Sequence, residues 1–207
     1  MGMLGEFGEL ILPRRCAGCG EYGHLLCPAC RRQLASPPFR HSPNVNPHVP
    51  VYALGPYADP HRGVVLAMKE RNNVAVRRHV GAVVAAALDY LEAGGDLPAG
   101  THLVPAPTRP RSARARGGDP VTAICAVSGR PTHPVLALPD RLADQAGLDE
   151  AGRRRNLQGN VVLTGVPRQP VVVVDDVVTT GATLQSSVEK LMAAGATVTA
   201  CLALCAA

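Results

Sequence analysis

Two adjacent carboxylates, Asp175 and Asp176, are followed at short fixed spacing by Thr179, Thr180, Gly181 and Thr183. Paired acids suit sugar hydroxyls or a divalent cation. Hydroxyls and loop amides ahead of a helix suit a phosphate, because the helix N-terminus offers unpaired N–H groups. Acids beside a bare phosphate would repel it. The two halves of the motif therefore fit one ligand that carries both groups, such as a ribose 5-phosphate. The flanking elements follow from pattern. Val171, Val172, Val173 and Val174 in a row predict a strand buried on both faces, as in a parallel sheet, with the two acids at its end. A helical pattern runs from Leu184 to Ala194. Between them Val178, Thr179, Thr180, Gly181, Ala182 and Thr183 form the expected phosphate loop.

The cysteines make a second constellation. Cys16 and Cys19, then Cys27 and Cys30, are two C-x-x-C pairs, with Gly18, Gly20 and Pro28 able to turn the thiolates inward. Four soft ligands in tetrahedral reach favour zinc, and a site closed by four protein ligands is structural. His24 lies between the pairs and is read as a bystander. Cys125, Cys201 and Cys205 fall on apolar faces and are read as core.

Bulk properties bound the rest. With 207 residues the chain has room for one α/β domain and a small appendage. Hydrophobic content of 46% against 3% aromatic means a core of valine, leucine and alanine. No apolar run approaches the ~20 residues of a membrane span, and no export signal is read at the N-terminus, so a cytoplasmic protein is expected. An odd count of seven cysteines, four of them clustered, then argues for metal rather than disulfides. The net charge of +5 admits anionic ligands and demands no nucleic acid. Almost all of the positive charge is arginine; Lys69 and Lys190 are the only lysines. The chain contains no G-x-S-x-G elbow, H-E-x-x-H motif or Walker A loop.

Taken in order, residues 1–35 are a knuckle segment, 36–48 a linker rich in Pro, Ser and Asn, and 49–207 the main domain. Strands are expected over Val51–Tyr57, His102–Pro107, His133–Leu138 and Thr197–Cys205, with a smaller one at Val161–Thr164. Helices are expected over His61–Arg71, Val74–Glu92 and Asp119–Ser128. Past the His102 strand come Arg109, Arg111, Arg114 and Arg116. Ligands of open α/β sheets gather at strand carboxyl ends, and arginine offers a bidentate fork to a pyrophosphate. The polar segment from Asp140 to Asn160 reads as a solvated connection or a lid.

The acid pair and T-T-G-x-T loop resemble the phosphoribosyl pyrophosphate (PRPP) motif of type I phosphoribosyltransferases. Over most of its length the chain resembles one branch of them, the competence-associated ComF family. The resemblance covers Leu12 to Cys30, the Tyr57 strand and the helix ending in Lys69, and Val104-Pro105-Ala106-Pro107 followed by Pro110, Arg111, Arg114, Arg116 and Gly117. It also covers Arg141, Gln145, Leu148, Arg153, Asn156, Gly159 and the PRPP loop. It implies an α/β type I phosphoribosyltransferase fold with a mostly parallel sheet flanked by helices and a small N-terminal zinc knuckle of four cysteines. It implies a glycosyltransferase-class enzyme that binds PRPP with Mg2+ and transfers phosphoribose with release of pyrophosphate. Asp175 and Asp176 would act on the ribose hydroxyls, directly or through Mg2+. Lys69, Arg109, Arg111 and Arg114 would hold pyrophosphate. Gln145, Arg153 and Asn156 would sit on a lid. The family's setting leaves an alternative, a PRPP-responsive protein of DNA uptake that binds single-stranded DNA with little turnover. Two departures stand out: Gly118-Asp119 replaces the family's Phe-Asn, and Thr179 replaces the third acid of purine-salvage relatives.

Overall fold

Two long strands, β6 (Val171–Val178) and β7 (Val198–Ala206), run parallel through the centre of the molecule. Their β-branched and small apolar residues fit a pleat covered on both sides. The computed structural model describes residues 14–71, 73–108, 113–114, 118–138 and 161–207. Around the central pair, β2 (Val51–Ala53) joins β7 and β3 (His102–Pro105) joins β6, both parallel. A short antiparallel strand, β1 (Phe39–His41), closes one edge, giving the order β1-β2-β7-β6-β3. This is an α/β architecture built on a mostly parallel sheet.

Successive strand residues point to opposite faces, and the two cores follow that alternation. On one face Tyr52, Leu103, Val172, Val174, Ala200 and Leu202 lie under the helices α2 (His61–Lys69), α3 (Val74–Ala93) and α4 (Pro120–Val127). On the other, Val51, Val104, Val171, Val173, Cys201 and Ala203 pack beneath Leu184, Val188 and Leu191 of α5 (Ala182–Ala193). A separate two-stranded ribbon, β4 (Leu136–Ala137) with β5 (Val162–Leu163), adds Leu136 to this second core. None of the described helices is long and apolar enough to cross a membrane.

Helix boundaries have local causes. Asn73 caps α3 by accepting from the Val76 N–H at 3.3 Å, and Asp119 caps α4 ahead of Pro120. Gly195, at φ +90°, lets α5 end by wrapping the Gly195 and Ala196 amides back onto Met192 and Leu191.

Three sequence readings change. The acids do not end their strand: β6 continues to Val178, because β7 keeps pairing with it as far as Val178–Ala206. The turn between strand and helix is therefore only Thr179–Gly181, with Val178 in the strand and Ala182 and Thr183 already helical. The stretch 36–48, read as a linker, contributes β1 to the sheet. The His133–Leu138 strand is reduced to Leu136–Ala137 and lies outside the main sheet. The knuckle, with α1 (Pro28–Leu34), is packed on the body: Cys16, Ala17, Leu26, Cys27, Cys30 and Leu34 all enter the core beneath α2 and α3.

Candidate functional site

β6 carries both acids to the carboxyl end of the parallel strands, where ligands of such sheets gather. Being adjacent in a strand, they diverge. Asp176 reaches the last residue of α2: Lys69 Nζ stands 2.7 Å from Asp176 Oδ2. The two side chains are 27% and 14% exposed, so the pair sits at the sheet rim and remains open to a ligand. Asp175 Oδ1 instead accepts the Asp176 N–H at 2.8 Å. Burial pushes the Asp175 carboxyl up to about 7; the Asp176 charge adds to this, and so does Asp119, while the Asp176 N–H and Lys69 oppose it. Asp176 thus stands in an ion pair with a lysine, and its neighbour Asp175 titrates near neutrality.

The turn after β6 is fixed from outside. Gly181 adopts φ +89° at the N-cap of α5 and, being glycine, offers no side chain to cap that helix. Thr180 O accepts from the Val45 N–H at 2.8 Å, and Thr180 Oγ1 accepts from Ala182 N–H at 3.4 Å. Thr179 and Thr183 are exposed. The arrangement presents amides and hydroxyls over an uncapped helix start, which can hold an anion. Pro43, against which Gly181 packs, also lines a cavity of about 280 Å³ between residues 40 and 51.

Among the cations, Lys69 lies on the acid pair. Arg114 is exposed, in a one-turn fragment. Arg109 and Arg111, and Gln145, Arg153 and Asn156, expected on a lid, lie outside the described residues. The Gly118-Asp119 departure has a structural role. Gly118 takes φ +123°, and Asp119 accepts from Val121 N–H at 3.0 Å, Thr108 Oγ1 at 3.1 Å and Thr122 Oγ1 at 2.9 Å. It therefore caps α4 and ties to it the segment that follows β3. An acid followed by proline at a helix start is the signal for that cap. The Val45 contact has no such signal, since it uses backbone atoms of a proline-rich stretch.

The four knuckle cysteines converge. Their sulfurs lie within 4.8 Å of one another, and Cys19 Sγ and Cys27 Sγ are 3.7 Å apart. Tetrahedral zinc with Zn–S near 2.3 Å places sulfurs ~3.8 Å apart, so the spacing fits. The Cys27 N–H points at Cys16 Sγ at 3.3 Å. Burial works to raise the Cys16 thiol, yet the N–H groups of Cys19, Cys27 and Gly18 outweigh it and bring Cys16 down to about 6. Burial pushes Cys30 up, and the neighbouring thiols add to that. Gathering four thiols so closely without a cation is unfavourable once more than one of them ionises, because the Cys16 charge opposes ionisation of Cys30. The cluster can hold a metal ion such as zinc.

No protein-family model matches this chain, and no curated protein matches it.

Proposed function

We propose that this chain is a PRPP-binding phosphoribosyltransferase of the ComF type, using Mg2+ with PRPP and a structural Zn2+ in the knuckle. The observation that carries the reading is the placement of Asp175 and Asp176 at the carboxyl end of β6, one short turn from the uncapped start of α5. That spacing serves a sugar at the acids and its 5-phosphate at Thr179–Thr183. Mg2+, when bound, supplies charge neutralisation for the diphosphate; it prefers carboxylate and phosphate oxygens.

The reaction is displacement of pyrophosphate from C1 of the ribose by an acceptor nucleophile, through an oxocarbenium-like state. Positioning and electrostatics carry it. The amides of Thr183 and Leu184 and the Thr179 and Thr183 hydroxyls hold the 5-phosphate. Asp176, paired with Lys69, accepts a ribose hydroxyl and faces the developing positive charge. In this reading Lys69 turns from Asp176 to the departing pyrophosphate, with Arg109, Arg111 and Arg114 as its other holders. Isothermal titration calorimetry tests the reading: PRPP with Mg2+ binds the wild type, and binding is lost in Asp175→Asn/Asp176→Asn. Unchanged affinity in that variant rejects it. Pyrophosphate release on adding an acceptor separates turnover from binding.

A second reading, a PRPP-responsive protein that binds single-stranded DNA, draws on the seam between knuckle and α3. There burial, then the charges of Arg31 and Arg78, hold His79 below its ordinary value, and both arginines are exposed. Binding through such a patch is electrostatic, so affinity for an oligonucleotide falls steeply with salt. A salt-insensitive affinity removes this second reading.

A further inference from the structure

α2 connects two places that the proposed function treats separately. Its first turn lies on the cysteine knuckle, and its last residue is Lys69. The contact is backbone to backbone. A Cβ on Gly63 would fall 2.0 Å from Gly18 O and 2.9 Å from Ala17 O. Gly18 has no more room: a Cβ there would stand 2.7 Å from Pro60 Cβ and 2.8 Å from Cys30 Sγ. The turn between Cys16 and Cys19 is thus wedged between a ligand sulfur and the start of α2. The Gly63 carbonyl also accepts from Arg71 Nη2 at 3.2 Å, so the segment beyond the helix is tied to the same point. From Gly63 to Lys69 the helix is a short rod of about 9 Å. Val64, Val65, Ala67 and Met68 are buried along it, leaving little slack.

We infer that the metal-holding knuckle is a positioning element for the acid pair: Gly18 and Gly63 transmit its geometry along α2 and set Lys69 on Asp176. The inference rests on the reading that Lys69 and Asp176 belong to the ligand site, but the contact itself is measurable without any ligand. Four thiolates gathered on one cation fix the Cys16–Cys19 turn. Without the cation that turn loses its anchor, and packed elements shift as units rather than stretching. A displacement of α2 moves the backbone from which Lys69 reaches its 2.7 Å ion pair with Asp176.

The two lysines make the test specific. In the full-length protein, acetylation by an N-hydroxysuccinimide ester is followed by mass spectrometry at Lys69 and at exposed Lys190, with iodoacetamide uptake at buried Cys125 and Cys201 as the monitor of the fold. Zinc-loaded protein is compared with chelator-treated protein, and with zinc-loaded Gly63→Ala. Release from an ion pair of this exposure raises the Lys69 rate by up to about fivefold relative to Lys190. That rise in either the chelated protein or Gly63→Ala, with Cys125 and Cys201 still masked, supports the inference. Equal Lys69 protection in all three proteins overturns it. So does Lys69 exposure that always comes together with Cys125 and Cys201, because the knuckle then supports the whole fold and no particular contact. Failure of PRPP to bind leaves the labelling result intact and counts against the function instead.

Discussion

The carbonyl oxygen of Val45 stands 2.5 Å from where a Cβ on Gly181 would lie, while the Val45 N–H donates to Thr180 O at 2.8 Å. A segment before the first parallel strand therefore shapes the turn that follows the acids. Gly181 is needed twice, for its φ of +89° and for this close approach. Gly181→Ala should destabilise the chain by about 2–4 kcal/mol, the left-handed backbone and the steric conflict adding together. Urea unfolding measures this. PRPP affinity should fall further than stability does, because the turn itself is displaced. A variant of wild-type stability and affinity would show that the turn has slack the geometry denies it.

Asp175 makes stability depend on pH. Its folded-state value of about 7 lies above the ordinary 3.8, so the folded state binds this proton more tightly than the unfolded chain. The sign follows: as pH rises from 3.8 towards 7 this group removes stability, and above 7 its cost is constant. Asp175→Asn abolishes that cost. It should raise the urea-derived unfolding free energy above neutral pH, by about 1–3 kcal/mol after allowing for Lys69 and for partial solvent access, and leave it nearly unchanged near pH ~4. An equal shift at both pH values would mean that Asp175 is ionised throughout. The same variant should lose PRPP affinity, so that stability and binding move in opposite directions.

Much of this arrangement is legible in the residue order. The valine run and the paired C-x-x-C motifs each act locally, and each lies where the pattern puts it. What could not be read depends on distant partners. Charged residues usually end a buried strand, so Asp175 and Asp176 look like a terminus; only β7 alongside keeps β6 going to Val178. β1 has three residues between prolines, too few to show alternation, and exists because β2 offers an open edge. Lys69 looks like a solvated helix-end lysine by periodicity, and nothing near it in sequence announces Asp176. The Gly18–Gly63 approach is equally silent, because a glycine in a helix pattern reads as a weakness before it reads as a contact.

The knuckle should bind one zinc ion per chain, measured by inductively coupled plasma mass spectrometry after dialysis. Cys30→Ser should lose it. Cys30 is buried against Gly18, so the variant loses both a ligand and the geometry that α2 leans on. Metal ligation contributes folding free energy directly in small thiolate sites. The melting temperature should therefore drop on chelation in the wild type and be insensitive to chelator in Cys30→Ser. A wild-type protein that purifies without metal and gains no stability from added zinc would leave the sulfur spacing unexplained.

Arg130 gives a separate measure of stability, far from the acids. Its Nη1 lies 2.6 Å from Glu92 Oε1 and its Nη2 3.1 Å from Glu92 Oε2, so one carboxylate is gripped by both nitrogens. The same Nη2 reaches Asp89 Oδ1 at 2.6 Å. The two acids should not matter equally. Glu92 is 15% exposed and also accepts from Thr101 N–H at 3.2 Å, whereas Asp89 is 71% exposed. Arg130 is the main cause of a lowered Glu92 value, with burial opposing it. The stability it contributes is therefore present above the ordinary 4.5 and lost as pH falls through the lowered value. Arg130→Leu leaves Glu92 without its partner and should cost about 2–4 kcal/mol at neutral pH. Asp89→Asn should cost less than about 0.5 kcal/mol. The cluster joins the end of α3 to the start of β3, at the opposite end of the sheet from Asp175, so neither variant should alter PRPP affinity. Equal losses in the two variants would show that burial of Glu92 does not set the strength of this pair.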